Sequence, residues 1–316
     1  MIEVEGLTKY YGAVRGIEDV SFSINKGEIV GFLGPNGSGK STTMRILTCV
    51  FPPTEGKAMV AGLDVLKRPL EVKRKIGYLP ESVPLYPDMR VDAYLNFVAE
   101  AKGVTKGIRK RHIADVMEEC GIRDVAHRLV GNLSKGFRQR VGIAQALIHD
   151  PEVLILDEPT IGLDPQQTIE MRELIKGLKG ERTIILSSHI LPEVSITCER
   201  VIIIHEGRII AVDKPENLVN RLQKTSRIYL KVQGPSPLVL EKLQTIPGIL
   251  AVERQESFPE NTYGYIVDSP KDAYIGDYVF PLMLANNWRL WEMKTVTMSL
   301  EDIFIRLVSE EDRGAR

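Results

Sequence analysis

Three cysteines are all that this chain of 316 residues contains. Cys49, Cys120 and Cys198 are odd in number, far apart and in no CxxC pairing, so neither a disulfide framework nor a zinc site is expected. A reducing compartment fits that usage best. Charge of one sign is also missing: 41 Lys and Arg against 42 Asp and Glu leave a formal net charge of -1. A surface without overall bias does not gather polyanions, so nucleic acid is not expected as a partner. The basic run Lys106, Arg109, Lys110 and Arg111 reads as a solvated helix face. No apolar run approaches the roughly 20 residues of a membrane span. The opening MIEVEGLTKYY alternates like a strand and lacks the basic, apolar and small-residue parts of a signal peptide, so a chain soluble by itself is expected.

What is present is the composition of an ordinary globular protein, 43% hydrophobic and 26% charged, which excludes disorder and collagen-like structure. The length favours two domains. EIVGFL, a glycine-rich loop and STTMRILTCV read in succession as buried strand, turn and helix. VLILDEP (153 to 159) and TIILSS (183 to 188) read as strands covered on both faces, and VIIIHEGRIIAV (201 to 212) as a hairpin turned at Glu206 and Gly207. Helical spacing fills the intervals, which is an α/β plan with a largely parallel central sheet. From about residue 90 to 150 the pattern is almost wholly helical, a helical insertion on that core.

A polar stretch, QKTSR, follows PENLVNRL and marks a boundary between a first domain of residues 1–222 and a second of 228–316. Beyond it the strand and helix patterns run β-α-β-β-α-β, the order of a ferredoxin-like α+β fold. Pro281 predicts a kink in its second helix, and Ser299 with Asp302 predicts a capped helix at SLEDIFIRLV.

Residues 34 to 41, GPNGSGKS, carry the phosphate-loop pattern GxxxxGK(S/T) between an apolar strand and a helix. Glycines let backbone N–H groups turn inward around phosphate oxygens, Lys40 can reach the terminal phosphates, and the Ser41 hydroxyl can ligate Mg2+. Asn36, Gly37, Ser38, Gly39 and Thr42 join them as candidates for nucleotide contact. VLILDE puts Asp157 at the end of a buried strand, where it can hold magnesium, and Glu158 one step further out, where it can take a proton from an attacking water or orient it. No NKxD guanine-recognition sequence occurs, which disfavours GTP.

With these motifs in this order, residues 1 to about 222 resemble the nucleotide-binding subunit of an ABC transporter. The resemblance implies a phosphate-loop ATPase core with an antiparallel β subdomain and a helical insertion, with ATP and Mg2+ as cofactors. It implies that Tyr11, or failing that Tyr10, stacks on adenine, that Glu158 is the catalytic base and that His189, after TIILSS, contacts the γ-phosphate. GLDP (162 to 165) resembles the D-loop, with Asp164 reporting across a subunit interface. LSKGFRQR (133 to 140) resembles the signature LSGGQ, whose Ser134 and Gly136 would meet the γ-phosphate of ATP held by a second nucleotide-binding subunit, expected to be another copy of this chain. A serine at a helix start is also an ordinary cap. The position of this one between the phosphate loop and VLILDE favours the signature.

Two departures stand out. Lys135 and Phe137 replace a glycine and the glutamine of the common signature, and Lys135 can add positive charge beside the triphosphate. Glu81, in KIGYLPES, stands where most relatives carry the Q-loop glutamine; it keeps an oxygen ligand for magnesium but loses the amide donor.

The resemblance implies a transport ATPase, peripheral on the inner face of the cell membrane, that drives a separate integral membrane permease. YLPESVPLYPDM (78 to 89) is the candidate docking surface, and the C-terminal portion inclines the reading toward export. The alternative is a soluble ABC ATPase acting mechanically on a non-membrane partner, which the single cassette and the lack of sustained heptads disfavour. A module that holds ATP without cleaving it is opposed by Glu158 and His189.

Overall fold

The computed structural model describes residues 1–222, 225–270 and 273–296. The chain divides into two compact units, Met1–Pro215 and Glu216–Arg316. The division falls at the first residue of the helix Pro215–Leu222, ahead of the polar stretch that marks the boundary in the sequence.

The first unit opens with strands β1 (Ile2–Tyr11), β2 (Val14–Ile24) and β3 (Ile29–Leu33), followed by helix α1 (Lys40–Leu47). Next come β4 (Glu55–Val60), β5 (Leu63–Asp64), α2 (Pro69–Lys75) and β6 (Ile76–Leu79). The helices α3 (Val91–Ala101), α4 (Lys106–Glu119) and α5 (Lys135–Leu147) then follow one another with no strand between. The unit continues through β7 (Val153–Asp157), α6 (Pro165–Gly177), β8 (Thr183–Ser188), α7 (Leu191–Thr197), β9 (Arg200–His205) and β10 (Arg208–Asp213), and α8 (Pro215–Leu222) begins at its last residue.

Six strands form one sheet in the order β10-β9-β3-β8-β7-β6. All its pairings are parallel except β9 with β10, the hairpin turned at Glu206 and Gly207. β3, β7 and β8 are buried at every position, as expected of strands covered on both faces. A separate antiparallel sheet, β2-β1-β4-β5, buries alternate residues such as Ile2 and Val4 of β1. Both sheets contribute to one apolar core, where Phe22 of β2 lies 5.6 Å from Phe32 of β3, ring centre to ring centre. At roughly 1.5 to 3 kcal/mol for each large apolar side chain buried, this core outweighs any single polar contact in the unit.

The second unit contains β11 (Thr225–Gln233), α9 (Ser236–Gln244), β12 (Ala251–Phe258), β13 (Thr262–Pro270), α10 (Gly276–Ala285) and β14 (Arg289–Val296). Its sheet is antiparallel throughout, in the order β12-β13-β11-β14. Leu230, Val232, Tyr265 and Val267 form its core with Val239 and Leu243 of α9 and Val279 and Met283 of α10. This is the β-α-β-β-α-β order expected from the sequence. Helix α10 runs through Pro281 to Ala285. The helix expected at 299–308, with its Ser299 and Asp302 cap, lies outside the described residues.

Candidate nucleotide site

Between Leu33 and Lys40 the chain turns from the end of β3 into α1. Gly37 and Gly39 have φ of 81° and 109°, a region glycine enters without steric cost. Gly39 is required by space as well: a Cβ there would stand 2.5 Å from Ile17 Cγ2 and 2.9 Å from the Gly16 carbonyl oxygen. α1 starts without an acidic residue in its first turn and without a side-chain cap, so its free N–H groups and dipole favour an anion.

A cavity of about 310 Å³ opens at this loop. It brings Asn36, Gly37, Gly39, Lys40, Ser41 and Thr42 together with Glu81 and Glu158. Gly16 and Ile161, which no sequence motif marks, complete its wall. Ser38 does not line it; its carbonyl accepts from the Gly207 N–H at 2.9 Å, and its buried hydroxyl has no protein partner. The ring of Tyr11 lies beside Gly16, close enough that a Cβ there would fall 2.9 Å from it, and packs edge to face on Phe51 at 6.0 Å. Tyr10 instead donates its hydroxyl to Glu18 at 3.2 Å.

Parallel pairing of β7 with β8 sets Asp157 opposite Ser187. The Ser187 hydroxyl donates to Asp157 Oδ1 at 2.5 Å, while the Glu158 N–H reaches both the Ser187 hydroxyl at 3.0 Å and its carbonyl at 3.2 Å. One small polar residue at the end of TIILSS thus orients both acids, through a register that no local motif announces. Asp157 is 2% exposed and does not line the cavity. On the neighbouring strand β6, burial and then the charge of Asp157 push the Tyr78 phenol up to about 12, so it stays neutral.

Glu158 has a φ of 50° and is buried. Its Oε2 accepts from His189 Nδ1 at 2.9 Å, and since a carboxylate only accepts, Nδ1 carries the proton. Its Oε1 lies 3.5 Å from Lys40 Nζ, an ion pair without a hydrogen bond. Lys40 also donates to the carbonyls of Gly34 at 2.8 Å and Pro35 at 3.2 Å. Its ammonium is therefore held over the loop by oxygen atoms that a phosphate can replace.

A second cavity of about 420 Å³ lies at the start of α5 and includes Ser134, Gly136 and Asp164. It shares no lining residue with the first. Ser134 caps α5, its hydroxyl accepting from the Phe137 N–H at 3.3 Å, and no acid stands in the first turn. Asp164 caps α6 in the same way, accepting from the Gln167 N–H at 2.8 Å. Lys135 reaches the loop before α6: a Cβ on Gly162 would meet its Nζ at 2.3 Å.

Residues 17–161 match the family model described as ABC transporter. The chain is 34% identical over 314 residues to the uncharacterized ABC transporter ATP-binding protein YhcH of Bacillus subtilis (strain 168), covering 98% of this chain and 96% of that protein. It is 32% identical over 311 residues to the Nod factor export ATP-binding protein I of Burkholderia pseudomallei (strain K96243), covering 98% of this chain and 97% of that protein. Among solved structures, the dimeric bacterial ABC transporter cassette MJ0796 aligns with a TM-score of 0.62 at 27% identity, over 68% of this chain and 98% of that one. The same cassette in a post-hydrolysis state bound to ADP and Pi aligns with a TM-score of 0.62 at 26% identity, over 68% and 98% of the two chains. This chain belongs to the ABC transporter family, as one of its ATP-binding, ATP-hydrolysing proteins.

Proposed function

We propose that the chain holds ATP and Mg2+ at its phosphate loop, pairs head to tail with a second copy, and drives an integral membrane permease that exports its cargo. The observation that carries this reading is the separation of the two cavities. One has the loop, Lys40 and the two glutamates Glu81 and Glu158; the other has a serine-capped helix start and no part of the loop. Each is half of a site, and two copies exchanged head to tail complete both halves.

In the paired state the nucleotide's phosphates replace Glu158 as the counter-ion of Lys40 and take the N–H groups of the loop and of Ser41 and Thr42. Tyr11 stacks on adenine. Ser134, Gly136 and Lys135 of the partner copy close over the γ-phosphate, and Asp164 reports between the subunits. Released from Lys40, Glu158 orients the attacking water and takes its proton, while His189 holds Oε2 and reaches the γ-phosphate.

Ser41 and Glu81 line the cavity and would offer the oxygen donors that magnesium prefers, and Asp157, which does not line it, would hold the ion through a water. When bound, the ion neutralises charge on the phosphate oxygens.

Among the described residues no helix is long and apolar enough to cross a membrane. In this reading the transport path belongs to the permease. The stretch 78–89 presents Tyr86, 52% exposed and packed at 5.8 Å against Tyr94 and 5.7 Å against Phe97, as a surface for that permease. Such docking places the chain on the inner face of the membrane. The export named for the Burkholderia relative, which matches this chain along nearly its whole length, supports the outward direction.

Sedimentation of Glu158→Gln tests the pairing: dimer with ATP and monomer without it is the expected result, and a monomer at saturating ATP contradicts it. Cross-linking from position 86 to a co-purifying membrane protein tests the permease.

A further inference from the structure

The turn of residues 158–160 carries the carboxylate and is held from three sides. Ser187 of β8 fixes the Glu158 N–H. Thr160 Oγ1 donates to Glu193 Oε2 of α7 at 2.6 Å. The third hold comes from the helical insertion: Gln139 Nε2 donates to the Pro159 carbonyl at 3.2 Å, in a buried contact. Gln139 is 2% exposed and lies on α5, about one turn beyond Ser134.

We infer that Gln139 is a positioning residue that couples the signature end of α5 to the catalytic carboxylate of its own subunit. A buried carbonyl stripped of its donor is costly, so the Pro159 carbonyl follows Gln139 when α5 shifts. Glu158 sits at a φ of 50°, a backbone state that endures only where its surroundings hold it. Gln139 supplies one of those holds through the carbonyl of the next residue, Pro159. The inference rests on the head-to-tail reading proposed above. In that arrangement Ser134 touches the partner's ATP while Glu158 serves the chain's own. One helix therefore senses one nucleotide and sets the acid for the other, and the two sites fire cooperatively.

The test is steady-state phosphate release by the full chain across ATP concentrations for wild type, Gln139→Met, Gln139→Glu and Ser134→Ala, with thermal melting as a folding control. Gln139→Met keeps the side chain's size and removes the donor. Its kcat is expected to fall roughly 10- to 100-fold with the loss of alignment. KM for ATP should stay within about threefold, because nucleotide binding is untouched, and the steepness of the ATP dependence should drop. In Gln139→Glu the buried carboxyl group is protonated more readily than in water, and as a neutral acid it can donate where the carboxylate cannot. Gln139→Glu should therefore regain activity relative to wild type as pH falls, and Gln139→Met should not. Wild-type kcat and steepness in a folded Gln139→Met protein would overturn the coupling. Should the methionine variant fail to fold, the coupling is overturned by a Gln139→Glu protein whose pH profile matches wild type. If Ser134→Ala impairs turnover while Gln139→Met does not, the coupling alone falls. If neither does, the head-to-tail reading falls with it.

Discussion

Lys40 Nζ and Glu158 Oε1 face each other at 3.5 Å, with both side chains 6% exposed. A buried charge that loses its partner is expensive, so each holds the other until a phosphate arrives. Glu158→Gln removes the counter-charge and leaves Lys40 to the two loop carbonyls. Turnover should fall on the order of 10²- to 10⁴-fold for loss of the base. ATP should bind more tightly, roughly fivefold, because it becomes the missing partner. Calorimetric titration beside phosphate release checks both; weaker ATP binding would count against the pair as the group that nucleotide displaces.

Two glycines of the loop should respond differently to alanine. At Gly39 the added Cβ meets Ile17 and the Gly16 carbonyl under 3.0 Å at a φ of 109°, whereas at Gly37 it meets nothing within 4 Å at a φ of 81°. Gly39→Ala should lose ATP binding and cost about 3 kcal/mol or more of stability. Gly37→Ala should cost about 1 kcal/mol. Urea unfolding separates them, and equal losses would show that backbone strain alone decides.

His149 makes stability depend on pH. Its Nε2 donates to the Ile76 carbonyl at 3.0 Å. Burial first, then the charge of Lys102, push the imidazole down to about 4, with the Ile76 hydrogen bond and then Asp150 opposing and His112 adding to the depression. The unfolded chain therefore takes up this proton before the folded one. The contribution is fully present above the ordinary histidine value near 6.5 and is lost as pH falls from there to about 4. Unfolding midpoints of His149→Gln should fall less steeply than wild type across that window; parallel curves would contradict the assignment.

Glu81 lines the phosphate-loop cavity and is exposed to it. If it senses magnesium, Glu81→Gln should raise the magnesium concentration for half-maximal ATPase, roughly threefold or more, through loss of an anionic oxygen. An unchanged metal dependence would remove Glu81 from the metal's surroundings.

Much of this is legible in the sequence because its signals are contiguous. GPNGSGKS places a turn between strand and helix, VLILDE ends a buried strand in acids, and the C-terminal β-α-β-β-α-β order follows from local periodicity. What stays hidden lies in register between distant segments. Nothing local marks Ser187 as the residue opposite Asp157, Gly16 as part of the cavity wall, or Gln139 as the donor to Pro159. Nor does anything local show that the Lys135 ammonium lies beside Gly162, a contact only tertiary packing creates. The ordinary cap that a serine at a helix start leads one to expect is in place at α5, where Ser134 accepts from the Phe137 N–H.

The central claim is that Lys40 and Ser134 of different copies build one site. Mixing inactive Lys40→Ala with inactive Ser134→Ala tests it most directly, because a mixed pair has one intact site and one doubly broken site. The account predicts that equal mixing lifts the ATPase rate above both components, to at most roughly a quarter of the wild-type rate, since half the pairs are mixed with one complete site each and that site's Glu158 shares a copy with the altered Ser134. A mixture no more active than its two components would contradict it.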